Sequence, residues 1–483
     1  MTHNEQWQPE AVLLHSNDLH SRLEEAARMA TYIDDQRRIH GSGRVLAVDC
    51  GDHMDRMRVE TEGSGGLVNV ELLNAAGYEA ATLGNNEGLT FTAEALTDAY
   101  RGHARFAVLA ANMTERDSGL LPDWILPQTV IAKGGLKIGL IGVTARFNDF
   151  YKLLGWNVLD PMPVVEREVA QLRAKADVVV VLSHLGLPTD RRMAEEIAGI
   201  DLILGGHTHH LLEEPLLIGG TTVCAAGKHG ERLGRVEIGR DPVSGRPLLR
   251  ASCVSVADCA PHPEAAAIIG GYLEAGVRAL SRTVVRLERE LPADAERESP
   301  LASLLAAGLK RWTGAQIGIV NAGQLLGGLF PGGVTEGLLH ALCPSPINPC
   351  RLTLRGRDIR LALEQSLLPE YTGMEIRGFG FRGLVLGTLA VDGLDIHWDE
   401  GQPEESKIVS IQVAADGQPL QDEEEYEVGT IDMFTFGIGY LSLQQGKNVR
   451  YYLPEFLRDV LAAELQNSEA VAESFRPRWH RAR

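Results

Sequence analysis

Short apolar runs recur along the first half of the chain, and between them apolar positions fall three and four apart. AVLLHS (11–16), RVLAVDC (44–50), EAATLG (79–84), FAVLAAN (106–112), KIGLIGVT (137–144), DVVVVLSHL (177–185) and DLILGGH (201–207) are short, rich in Val, Leu and Ile, and end in polar residues or glycine. They read as strands buried on both faces. LEEAARMATYIDDQRR and PVVEREVAQLRAKA, lying between them, read as amphipathic helices. This alternation is an α/β pattern. TTVCAAG, RLGRVEIG and LLRASCVSVADC, ending at 259, read as antiparallel strands closing the domain. EAAAIIGGYLEAGVRALSRTVVRLE reads as a helical stretch broken by Gly pairs, so a connector is expected near 262–285. The first domain then spans 1–281 and a second, α+β domain 282–483. In the second, SPLASLLAAGLKRWTG predicts a helix, AQIGIVNAG a strand, RGRDIRLALEQSLL a helix, and Gly-rich strand signals run to the end.

Composition narrows the class. With 483 residues, 44% hydrophobic and 23% charged, the chain is globular and too long for one ordinary core. The net charge of −19, from 65 acidic and 46 basic residues, repels phosphate backbones and anionic membranes. A nucleic-acid scaffold role and a membrane partner are therefore not expected. A small anionic ligand is tolerated only where local cations offset that field. The start, MTHNEQWQPE, lacks a basic n-region and an apolar h-region, so no signal peptide is expected. No apolar run of about 18 residues predicts a transmembrane helix. Cys50, Cys224, Cys253, Cys259, Cys343 and Cys350 form no CxxC pair and sit mostly in apolar runs. They read as buried free thiols in a reducing compartment, the cytoplasm.

The chemistry lies where polar residues follow the predicted strands. Asp18 and His20 stand in NDLH, Asp52 in GDH, Asn85 in GNN, His184 in SHLG, and His207 and His209 in GGHTH. In an open α/β domain the strand C-termini form one edge, where ligands bind. Seven oxygen and nitrogen donors from five strands therefore converge there. Taken singly, each is an ordinary loop residue; five pieces in order, each after a strand, are not. Mixed carboxylate, amide and imidazole donors suit Zn, Mn, Fe or Co better than Ca. Two such ions would clamp a phosphoryl oxygen and acidify a shared water.

The order D-x-H … G-D … G-N-[H/N]-[E/D] … H … G-H-x-H resembles the calcineurin-like metallophosphoesterases. LHSNDLHSR, with IVNAG and PSPINP further on, is similar to the bacterial 5′-nucleotidase and 2′,3′-cyclic nucleotide phosphodiesterase family. The resemblance covers nearly the whole chain. It implies two sheets packed face to face and flanked by helices (α/β/β/α), followed by a smaller α+β substrate-binding domain covering the strand-end edge. It implies hydrolysis of a phosphoester, with a nucleotide as the substrate partner and two divalent ions as cofactors. Asp18, His20, Asp52 and His209 would hold one ion and Asp52, Asn85, His184 and His207 the other, with Asp52 bridging.

The chain also departs from this family. Its fourth motif usually reads G-N-H, and the His serves the leaving alkoxide; here Asn86 stands in its place. An amide can donate a hydrogen bond to phosphate but cannot deliver a proton, a loss on the order of 10²–10⁴ in rate. Three readings remain open. The substrate has a good leaving group, such as a sugar-nucleotide or dinucleotide anhydride; His53 or His229 supplies the proton; or the protein binds metal and nucleotide without catalysis. In the second domain, Asn321-Ala322-Gly323 matches the family's Asn-x-Gly substrate motif. Gln324, Leu325 and Leu326 follow, without the family's Arg. TIDMFTFGIGY (430–440) is similar to the family's base-clamp segment, so Phe434 or Phe436 could stack on a base, although alternating Phe also fits a strand's core face. Arg377 and Arg382 in RGFGFRG are candidate anion contacts, and EEEYE near 423–427 reads as a solvated turn or edge.

Overall fold

The structure is a computed structural model that describes residues 9–241, 244–378 and 380–482. The chain divides into two units, Met1–Gly276 and Val277–Arg483, and the division falls inside the helix Pro263–Ala279.

The first unit is built on two sheets. One runs Pro247–Ser255, Arg232–Arg240, Ala11–Ser16, Val45–Asp49, Ala80–Thr82, Ala107–Leu109, Ile125–Leu126. The other runs Leu216–Ile218, Thr221–Ala225, Leu202–Gly205, Val178–His184, Leu136–Thr144, Gln128–Lys133. Side chains alternate between faces with a period of two. Val178, Val180 and Leu182 point between the sheets and meet Leu13, Leu46 and Val48 in one core. Val179 and Val181 point outward and pack against Val165 and Val169 of the helix Pro161–Leu172. The outer face of the other sheet is served by Leu23, Ala27, Val68 and Leu72 with Ala265. Both faces of the central strands are thus covered, which is why they read as continuous apolar runs. At Gly142 a Cβ would lie 2.5 Å from the Leu109 carbonyl oxygen of the facing sheet, so only glycine permits this approach.

Three local readings are corrected. Thr221–Ala225 joins the second sheet parallel to Leu202–Gly205, whereas Arg232–Arg240 and Pro247–Ser255 join the first sheet antiparallel. The helical stretch stops at Ala279, and TVVRL forms the strand Thr283–Leu287, as its β-branched residues favour. Residues 430–440 are not one strand: Glu425–Ile431 is followed by a helical turn, Asp432–Thr435.

The second unit has a five-stranded sheet in the order Leu389–Asp392, Ile317–Asn321, Glu425–Ile431, Pro349–Arg355, Lys447–Tyr451. The helix Pro300–Thr313 lies on it, with Leu301, Leu304, Leu305 and Leu309 in the core. Among the described residues no helix is long and apolar enough to cross a membrane. All six cysteines are free.

Candidate metal centre

The two sheets of the first unit present their parallel strand ends on one edge. Ser16 pairs with Asp49, Ser183 with Gly205 and His184 with Thr144. The loops that leave these ends are bent sharply. Nine non-glycine residues among those described have positive φ, and Asp18, His20, Ser21, Asp52, His207, His209 and His229 are seven of them. Each such backbone costs about 1–2 kcal/mol, and strain of this kind collects where function demands it.

The bends bring the donors together. The ligand atoms of Asp18, His20 and His209 lie within 4.8 Å of one another, as do those of Asp18, Asp52 and His184. His20 Nε2 is 3.1 Å from His209 Nε2, and His209 Nε2 is 3.5 Å from Asp18 Oδ1. On the other side His184 Nε2 is 3.3 Å from Asp52 Oδ2 and 3.2 Å from Asn85 Oδ1. His207 Nδ1 lies 2.7 Å from the same amide oxygen. The carboxylate common to both groups is Asp18, whereas the resemblance implied that Asp52 bridges.

The surroundings fix these side chains. His184 Nδ1 donates to the Cys50 carbonyl at 2.8 Å, which turns Nε2 toward the other donors, as ligating imidazoles require. The Asn86 N–H donates to Asp52 Oδ1 at 2.7 Å. At Gly84 a Cβ would stand 2.1 Å from the same oxygen, so any larger residue displaces that carboxylate. Asn17 Nδ2 donates to Asp18 Oδ2 at 2.8 Å and to the Gly227 carbonyl at 2.7 Å. The Glu87 carboxylate accepts from the backbone N–H groups of Asp52, Met54 and Gly84 at 3.0, 2.9 and 2.7 Å, clamping two donor-bearing loops together.

Burial pushes the Asp18 carboxyl up to about 7, the Asp52 charge adding to this and His184 opposing it. Burial disfavours a charged His184, yet Asp52 and Asp18 raise it to about 10. Burial chiefly lowers His207 and His209 to about 4, leaving neutral imidazoles with lone pairs to offer. Adjacent buried carboxylates facing four imidazoles are costly in any other setting. The donor set fits divalent transition ions.

The remaining sequence candidates fall elsewhere. Asn86 is in the first turn of the helix Asn85–Thr90, and its Nδ2 is 2.9 Å from His20 Nδ1 and 3.1 Å from the Met54 carbonyl. His53 as a proton donor to substrate is corrected. It is 1% exposed, with Nε2 3.0 Å from the Tyr100 hydroxyl and Nδ1 3.5 Å from both Asp49 and Glu87. His229 packs its ring 5.7 Å from that of His20. In the second unit Phe434 is also corrected as a base-stacking residue. It is fully buried against Tyr440, because the helical turn points it inward, while Phe436 is 41% exposed. Asn321 and Gly323 are buried, and Asn321 Nδ2 donates to the Leu386 carbonyl at 2.7 Å. Arg377 is exposed and pairs with Glu375; Arg382 donates to the Phe381 carbonyl at 3.2 Å. Sequence reasoning missed Asn17, Glu87 and Phe147, whose ring lies 5.8 Å from that of His207. Glu87 carried a signal, standing three residues after Gly84 at a helix start.

Residues 11–211 match the calcineurin-like phosphoesterase family, and residues 279–442 match the 5′-nucleotidase C-terminal domain. The chain is 35% identical to the uncharacterized metallophosphoesterase YunD of Bacillus subtilis (strain 168), over 94% of this chain and 98% of that one. The chain is a calcineurin-like phosphoesterase. The phosphoesterase is also 25% identical to a 5′-nucleotidase of Diplobatis ommata, over 91% of its own length and 84% of the relative's. Its fold matches that of Haemophilus influenzae NAD nucleotidase, with a TM-score of 0.66 at 17% identity, covering 98% and 97% of the two chains. It is a metal-dependent hydrolase of phosphoesters.

Proposed function

We propose that the phosphoesterase hydrolyses a nucleotide phosphoester at a cage for two divalent ions. Asp18, His20 and His209 would hold one, and Asp52, Asn85, His184 and His207 the other, with Asp18 or Asp52 between them. The observation that carries this reading is the pair of donor groups sharing Asp18. Divalent ions held there supply Lewis acidity toward a phosphoryl oxygen and toward water. The chain's own part is to orient. Glu87 holds the loops of Asp52 and Gly84 in register, Asn86 steadies Asp52 through its N–H, and Asn17 steadies Asp18. The similarity to a 5′-nucleotidase, and the fold shared with an NAD nucleotidase, support 5′-nucleotides or dinucleotides as substrates. Phe436, Arg377 and Arg382 are the exposed or part-exposed candidates for substrate contact in the second unit. Six free thiols support a cytoplasmic setting.

Asn86 favours substrates that leave without a proton. Its amide already donates to the Met54 carbonyl and has no acidic proton to give, so activated esters and phosphoanhydrides suit it better than alkyl monoesters. Elemental analysis and a panel assay with Mn²⁺ or Co²⁺ test the reading. Two ions per chain with turnover of an aryl phosphate ester are expected. Bound metal with no turnover on any phosphate ester or anhydride makes the protein a binder and ends the proposal. Asn86→His should raise kcat/KM on a nucleoside 5′-monophosphate by at least about tenfold and change the aryl ester much less; no gain refutes the missing-acid argument.

A further inference from the structure

A short turn beside the cage carries a cation that the ligand set leaves unused. Ala226, Gly227, Lys228 and His229 follow the strand Thr221–Ala225, and three hydrogen bonds stitch this turn to the loop bearing Asp18. The Ala226 N–H donates to Asn17 Oδ1 at 3.1 Å, Asn17 Nδ2 donates to the Gly227 carbonyl at 2.7 Å, and the His229 N–H donates to the Asp18 carbonyl at 2.8 Å. His229 takes positive φ to make the third. The turn that carries the half-buried Lys228 is therefore held by the same side chain, Asn17, that steadies the Asp18 carboxylate.

Its charge has no carboxylate partner among the described residues. Elsewhere in this unit Arg56 pairs with Glu62 at 2.6 Å, and Arg58 with Glu24 and Glu60 at 2.9 and 2.8 Å. Lys228 instead acts electrostatically on the imidazoles of His209 and His229, and exposed Arg22 acts on His229 as well. Beside a cage for cations, that ammonium is repelled until an anion arrives. The substrate of a phosphoesterase is such an anion.

We propose that Lys228 is a substrate-binding residue of this site, its ammonium taking a phosphate oxygen on the His20–His209 side of the cage. The proposal rests on the functional reading above. A charge-assisted contact of this kind is a strong one, and lysine makes it as a point charge rather than a fork.

Calorimetric titration of the metal-loaded full chain with inorganic phosphate tests it, with metal content measured in parallel. Lys228→Met should weaken phosphate binding and lower kcat/KM by roughly 10–100-fold, with metal stoichiometry intact. Lys228→Arg should recover most of both. Phosphate affinity should fall more steeply with salt in the wild type than in Lys228→Met. Unchanged phosphate affinity in Lys228→Met overturns the proposal, and so does loss of metal together with phosphate binding, which would make the residue structural. A wild type that holds metal but hydrolyses no phosphoester brings down the parent reading instead.

Discussion

His184 shows how a ligand is prepared at the scale of one side chain. Its Nδ1 is committed to the Cys50 carbonyl, while Nε2 faces Asp52 and carries a proton because two carboxylates stabilise the charge. A divalent ion must displace that proton, along with part of the one that Asp18 holds near neutrality. Loading at pH 7 should therefore release roughly one to two protons per chain, and affinity should fall as pH is lowered. Calorimetry in buffers of different ionisation enthalpy measures this; heats independent of buffer would contradict it. The donors themselves were legible because each follows an apolar strand. Their supports were less so, although Glu87 stands at the third position of a helix start. Asn17 and Glu87 act mainly on backbone N–H and C=O groups that only the folded loops bring near. His53, next to Asp52 in sequence, faces the opposite way because the positive φ at Asp52 turns the chain.

At the scale of elements, strands buried on both faces were the most legible, and Ala11–Ser16 begins and ends as its apolar run does. Segments whose pattern fits two structures were less so. The alternating Phe residues of 430–440 suit a strand, but the chain leaves the sheet after Ile431 and coils once. That turn sends Phe434 inward against Tyr440 and leaves Phe436 at the surface. Phe434→Ala should cost about 3–5 kcal/mol of stability in the second unit, as large-to-small core changes do. Phe436→Ala should cost little and, if the ring meets substrate, act on KM. Urea unfolding of both variants separates these roles; equal destabilisation would contradict the placement of the two rings.

For the whole molecule, the donors belong to the first unit alone, so its stability is linked to metal and that of the second is not. With free metal at about one hundred times its Kd, binding stabilises by ~2.7 kcal/mol, or roughly 5–10 °C for a domain of this size. Calorimetry with and without EDTA should show one transition falling by that amount and a second staying in place. A single transition moving as one would instead show tight coupling of the units.

Cys50 gives this behaviour a chemical clock. Its thiol is sealed in the apolar layer between the sheets, and burial holds it well above the ordinary cysteine range, so the native chain shields it from alkylating reagents. Its own carbonyl steers His184, so the layer cannot open at this residue without disturbing the imidazole above it. The rate at which a maleimide tags Cys50 would then count how often the cage comes apart, one molecule at a time, with no substrate required.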